Sequence, residues 1–95
     1  MYFEFMSKAF LVYGHYNDKS FNAAIKDTFI ETAKKLGHTV DCIDLYKENF
    51  NPIFAGEKPD ETVLDHRKRI EEADAIVLIA PIWNFRMPAI VEGWI

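Results

Sequence analysis

Ala75-Ile76-Val77-Leu78-Ile79-Ala80 runs directly into Pro81-Ile82-Trp83-Asn84-Phe85, and the fold follows from this stretch. Unbroken apolar residues without polar alternation are the pattern of a strand covered on both faces, as in a parallel sheet with helices above and below. A parallel neighbour needs a long crossover, and a helix is the usual one. Upstream the chain supplies it: Asp60 can cap a charged helix that carries Val63, Leu64, Ile70 and Ala73 on its apolar side, after a loop-like segment from Leu45 to Pro59. Thr39 to Asp44 reads as a further strand. Before it, Phe21, Ile25, Phe29, Ala33 and Leu36 recur at helical spacing, with Ser20 placed to cap the start and Gly37 suited to the turn that ends it. Phe10 to Tyr13 lies in a first strand that begins near Lys8. Downstream, Pro88 fits the first turn of a helix continuing through Ala89, Ile90 and Val91. The order is β-α-β-α-β-α, an α/β arrangement.

Composition agrees. In 95 residues, 49% hydrophobic and 15% aromatic content is enough for one packed domain and argues against disorder. A chain of this size buries roughly 60–65% of its unfolded surface, so its stability is marginal. A formal charge of −4 argues against nucleic acid or an anionic membrane as partner. Cys42 stands alone, which excludes an intrachain disulfide and fits a reducing, cytoplasmic setting. The longest apolar run, Ala75 to Trp83, is too short to span a bilayer. Met1 to Phe5 lacks a basic segment and does not read as a signal peptide, and Met6 is an alternative start. His38 after Gly37, and His66 beside Arg67, Lys68 and Arg69, read as exposed helix-end and helix-face groups rather than metal ligands. The basic run is balanced by Glu71 and Glu72 as a solvated face. Cys42 reads as a small buried strand residue.

In open parallel sheets, ligands bind outside the carboxyl ends of the strands, where the winding direction reverses. Two loops lie at such ends. With Ser20 as cap, the backbone N–H groups of Phe21 and Asn22 are among the helix's unpaired donors, and the helix dipole favours an anion there. The side chains of His15, Ser20 and Asn22 can add donors. The dipole alone is worth ~0.3–1 kcal/mol at an exposed site, so a phosphate needs several donors acting together. The spaced glycines of a Walker loop are missing around Lys19 and Ser20. An ordinary capped helix with a polar loop explains the same residues. In the second loop, Trp83 and Phe85 can cover one face of an aromatic ring, backbone groups from Ile82 to Phe85 can bond its rim, and Asn84 can bond the ligand or brace the loop. Pro81 to Phe85 before Pro88 also suits a packed turn. The two loops together favour a flavin site.

Several separated segments extend this reading: His15 to Asn22, Asp44-Leu45-Tyr46, Asn49-Phe50-Asn51-Pro52-Ile53, Glu72-Ala73-Asp74, and Pro88-Ala89-Ile90 followed by Gly93-Trp94. In this order they resemble the flavodoxin-like NAD(P)H:quinone oxidoreductases, the DT-diaphorase type, from about Ala9 to Ile95. The resemblance implies a five-stranded parallel sheet, a flavin, and hydride transfer from NAD(P)H through the flavin to a quinone. By position it makes His15, Ser20, Phe21 and Asn22 flavin phosphate contacts and Pro81, Ile82, Trp83, Asn84 and Phe85 the isoalloxazine loop, with Phe85 also near the quinone or nicotinamide. Where the diaphorase loop has glutamine then tryptophan, this chain has Trp83 then Asn84, closer to FMN-dependent azoreductases; FAD and FMN both stay open. Residues 1–95 correspond to a flavodoxin-like domain truncated after its third strand and the helix that follows. The second half of such a domain, with its proton-transfer side chains, is missing, so no residue here is assigned as general acid or base. The strand Ala75 to Ala80 becomes an apolar edge that a homo-oligomer or a partner chain should cover. The alternative to an enzyme, or the N-terminal portion of one, is a catalytically inactive relative acting as a flavin-binding or protein-interaction module.

Overall fold

The structure, a computed structural model, describes residues 7–53 and 60–95. The segment through the alternative start Met6, and the 54–59 part of the expected loop, lie outside the described residues. Among the described residues six elements follow in the expected order: β1 (Lys8–Tyr13), α1 (Phe21–Lys35), β2 (Thr39–Asp44), α2 (Glu61–Glu71), β3 (Ala75–Ile79) and α3 (Ala89–Trp94). All strands are parallel, in the order β2-β1-β3. Two side chains start the longer helices as their types dictate. Ser20 Oγ accepts from Ala23 N at 3.1 Å, and Asp60 Oδ1 accepts from Val63 N at 2.9 Å. Pro88 stands at the N-cap of α3, one position ahead of its first turn.

β1 is the centre of the molecule because both faces of its apolar run find partners. Phe10 and Val12 pack with Ile43, Leu45 and Val91 on one face. Leu11 and Tyr13 pack with Ala23 and Ile79 on the other. Each fully buried Val, Leu, Ile or Phe side chain among them contributes ~1.5–3 kcal/mol of transfer free energy. Gly14 ends the strand where a Cβ would meet Val91 Cγ2 at 2.2 Å. Only glycine lets α3 come this close to the end of β1.

Several expectations need correction. β3 is not covered on both faces: Ile76 is 56% and Leu78 37% exposed, since among the described residues β3 stands at the sheet's edge and no helix lies fully over that face. α1 turns only part of the expected stripe inward. Its buried residue is Ala23, with Phe29 and Ile30 partly covered, while Phe21 (79%), Ile25 and Leu36 are exposed. A small side chain is what allows the helix to sit close on Leu11 and Tyr13, so the larger ones point away. Cys42 is exposed; Val40, two residues earlier on the same face, packs into the core and Cys42 lies beyond it. His66 is 3% exposed rather than solvated, because Glu48 and Trp94 satisfy both of its ring nitrogens. In the same run Arg69 pairs not with the neighbouring glutamates but with Asp41 of β2, through two hydrogen bonds of 2.9 and 2.6 Å. Arg67 and Lys68 are exposed as expected.

Candidate functional site

The connection from β1 to β2 runs to one side of β1, and the connection from β2 to β3 crosses to the other. The winding therefore reverses between the carboxyl ends of β1 and β3, the position at which open α/β sheets bind ligands. Gly14 N donates to Ile79 O at 2.9 Å, which fixes the two strand ends side by side. The loop after β1 and the loop after β3 start from this point.

In the first loop Tyr13, fully buried, acts as the post. Its hydroxyl donates to the Asn17 carbonyl at 3.1 Å and lies 3.2 Å from Ser20 Oγ. The Lys26 ammonium sits 4.7 Å above its ring. His15 Nδ1 accepts from Asn17 N at 2.9 Å, and Asn17 Oδ1 accepts from Lys19 N at 2.9 Å. Ser20 is thereby held at the helix start. It uses the N–H of Ala23 through its side chain and that of Ala24 through its carbonyl. The N–H groups of Phe21 and Asn22 stand ahead of these at the open end of α1. Asp18 forms an ion pair with Lys47 at 3.2 Å, which ties this loop to the segment after β2. Its hydrogen bond to Lys47 holds the Asp18 carboxyl below the usual carboxylate range.

The second loop is a tight reversal. Trp83 N donates to Arg86 O at 2.6 Å and Arg86 N to Trp83 O at 2.9 Å. Asn84 and Phe85 both have positive φ, 52° and 66°, the arrangement of a type I′ turn. Asparagine tolerates this region, whereas phenylalanine does so at a steric cost. The turn delivers Phe85 into solvent, 100% exposed. Glu92 of α3 braces it from behind, accepting from Arg86 Nη2 at 2.6 Å and from Met87 N at 3.2 Å. The Arg86 hydrogen bond lowers the Glu92 pKa. Pro81 is half-buried at the loop's base, and Ile82 and Trp83 are exposed.

The two loops meet through aromatic rings. His15 and Trp83 lie edge to face with centroids 6.0 Å apart. Of the residues singled out in the sequence, His15, Ser20, Asn22, Pro81 and Trp83 gather at this sheet edge. Phe21 and Phe85 project outward from it, and Asn84 shapes the turn. Sequence reading missed two members. Tyr16 stacks on His15 at 4.7 Å and approaches Trp83 at 6.2 Å and Tyr46 at 6.4 Å. Tyr46 follows β2 directly, within Asp44-Leu45-Tyr46, so its place at a strand's carboxyl end was the available signal. A separate apolar groove between α2 and α3 is lined by Phe50, Val63, Ile70, Ile76 and Trp94; it lies away from these loops. Among the described residues, no group of three or more His, Cys, Asp or Glu side chains is placed to hold a metal ion, and no helix is long and apolar enough to cross a membrane.

The surroundings fit a flavin phosphate at one end and a flat ring at the other. The open N–H groups of α1 suit an anion, and the Trp83 turn offers an aromatic wall with backbone groups at its edge. Known proteins place the chain further. Ribosyldihydronicotinamide dehydrogenase [quinone] of Rattus norvegicus is 29% identical over 92% of this chain and 48% of its own length. An uncharacterized NAD(P)H oxidoreductase of Escherichia coli, YcaK, is 32% identical over 93% and 50%. The structure of an NAD(P)H:quinone oxidoreductase from Methanothermobacter marburgensis superposes with a TM-score of 0.86 at 30% identity, covering 94% of this chain and 51% of that one. The chain thus spans about half the length of the relatives it matches. A family model described as flavodoxin-like fold matches residues 7–95, and the β2-β1-β3 order with two loops at the winding reversal agrees with it: the chain belongs to the flavodoxin-like fold family.

Proposed function

We propose that this chain is the flavin-holding portion of an NAD(P)H:quinone oxidoreductase, with FMN or FAD as cofactor, NAD(P)H as electron donor and a quinone as acceptor, in a cytoplasmic setting. One observation carries the proposal: the 6.0 Å contact of His15 with Trp83 joins an anion-binding helix start to an aromatic turn at a single sheet edge. The open N–H groups of Phe21 and Asn22, with His15, Ser20 and Asn22 beside them, hold the phosphate. Pro81, Ile82, Trp83 and Asn84 border the ring, and Phe85 reaches over to the quinone or nicotinamide. A bound flavin supplies the hydride chemistry itself. The protein's part is to bind, orient and wall off one face from water. Fluorescence titration of the chain with FMN and with FAD is the test. Saturable quenching of tryptophan emission is expected, and the quench should shrink in Trp83→Phe. Equal quenching in that variant would assign the signal to Trp94 or to nonspecific binding and remove the ring from this loop.

The exposed apolar residues Ile76 and Leu78 on β3, with Phe21 and Ile25 on α1, favour a second reading, a catalytically inactive module that binds another polypeptide. A purified chain that takes up no flavin and gains order only with a second polypeptide would establish it.

A further inference from the structure

His66 is the one buried charged or polar side chain among the described residues, and the flavin reading gives it no task. Its Nε2 lies 3.0 Å from Glu48 Oε1, in the segment after β2. Its Nδ1 accepts from Trp94 Nε1 of α3 at 3.0 Å. An indole nitrogen is a donor only, and a carboxylate is an acceptor only. The geometry therefore admits one protonation state without conflict: neutral imidazole, with the proton on Nε2 given to Glu48 and a bare Nδ1 receiving the indole N–H. Adding a proton to Nδ1 places two N–H donors face to face at 3.0 Å, and the contact with α3 must break.

We infer that His66 is a proton-operated latch that fastens α3 to α2 when neutral and releases it when charged. The charged groups around the ring oppose one another. Two carboxylates face this region, Glu48 from the segment after β2 and Asp41 from β2. Two guanidiniums stand on the same helix as His66: Arg69 lies over Phe10 of β1 at 5.7 Å, and Arg67 lines the groove beside His66. Asp65, the partner of Arg69 on α2, partly offsets that arginine. From α3 the ring meets the Trp94 indole, and from β1 and the segment after β2 it meets the rings of Phe10 and Phe50. Release reaches the ligand loops by a short route. α3 carries Glu92, which holds Arg86 and the Met87 N–H, so freeing the helix loosens the brace behind the Trp83 to Arg86 turn.

The whole chain titrated by NMR between about pH 8 and pH 5, the range over which histidine changes charge, provides the test. At the upper end, nitrogen shifts should identify His66 as the Nε2–H tautomer and Trp94 should give a downfield, slowly exchanging indole resonance, assigned by its absence in Trp94→Phe. On acidification that resonance should collapse in step with protonation of His66, and the amides of residues 89–94 should lose exchange protection. In His66→Gln, whose amide can donate to Glu48 and accept from Trp94 at any pH, the indole resonance should persist throughout. An Nδ1–H tautomer at high pH, or an indole resonance that stays unchanged while His66 protonates in the wild-type chain, overturns the latch.

Discussion

Phe85 holds a backbone conformation that its side chain disfavours. A bulky side chain at φ 66° costs roughly 1–3 kcal/mol, and the residue recovers nothing by burial since it is fully exposed. Phe85→Gly should therefore raise stability by roughly 0.5–1 kcal/mol in urea denaturation, after the greater unfolded-state freedom of glycine is deducted. The same change should lower quinone reduction in a full-length relative carrying this loop. A loss of stability would mean that the ring does packing work that its exposure contradicts. Ser20 separates the two explanations of the first loop. Aspartate caps a helix as well as serine, so Ser20→Asp should leave stability nearly unchanged while its charge beside the phosphate weakens FMN at least about tenfold, since two like charges ~4 Å apart near a protein surface repel by a few kcal/mol. Riboflavin, which lacks the phosphate, should bind both forms alike. Unchanged FMN affinity would return the loop to an ordinary capped helix. Tyr13→Phe extends the comparison: it keeps the buried ring but loses the contacts to Asn17 and Ser20, so the preference for FMN over riboflavin should fall severalfold, in line with ~0.5–1.5 kcal/mol per hydrogen bond.

At the level of elements, the strands and helix starts were legible because each carries a local signal. β2 and α2 begin where a β-rich run and the Asp60 cap place them, and the Ser20 cap marks α1. Which face of α1 turns inward was not legible. Phe21, Ile25 and Leu36 lie on one side and Ala23, Phe29 and Ile30 on another, and only contact with Tyr13 and Leu11 decides between them. His66 was misread for a similar reason, since Glu48 and Trp94 are 18 and 28 positions away. The two site loops were legible by residue type and strand end, yet the Tyr16 and Tyr46 rings that join them to the β2 side needed the fold. α2 is tied to β2 by the fork of Arg69 on Asp41. Hydrogen bonding from Arg69 holds the Asp41 carboxyl below its usual value and raises Arg69. A carboxyl lowered by folding adds stability above its unfolded pKa and loses it as pH falls through the folded value. Acid unfolding of Asp41→Asn should accordingly show a shallower pH dependence below about pH 4. At neutral pH the variant should be less stable by roughly 1–2 kcal/mol, a range kept modest by water on the open side of the pair.

Among the described residues, apolar side chains face solvent on the Ile76 and Leu78 side of β3 and on the Phe21 and Ile25 side of α1. An edge strand with unpaired backbone groups and no charge recruits another strand. The 95-residue chain should self-associate as seen by light scattering, and Leu78→Lys should shift it towards monomer by setting a charge beside the edge. NAD(P)H-dependent quinone reduction by the isolated chain should be slow or absent, and appending the remaining half of a relative should restore it. A soluble monomer with rapid turnover would refute both expectations. The central position of β1 also governs how the chain reaches this form. β1 must pair with β2 some 30 residues downstream and with β3 some 65 downstream, Phe10 meeting Asp41 and Ile76, and no hairpin shortens either search. Loop closure of this kind slows folding. The nearer pairing closes first, so Ile43→Val should slow refolding, whereas Ile79→Val in the late-arriving strand should chiefly hasten unfolding. Stopped-flow chevrons would separate the two, and a nascent chain would hold Phe10 and Val12 of β1 unpaired on that side until Ile79 has emerged.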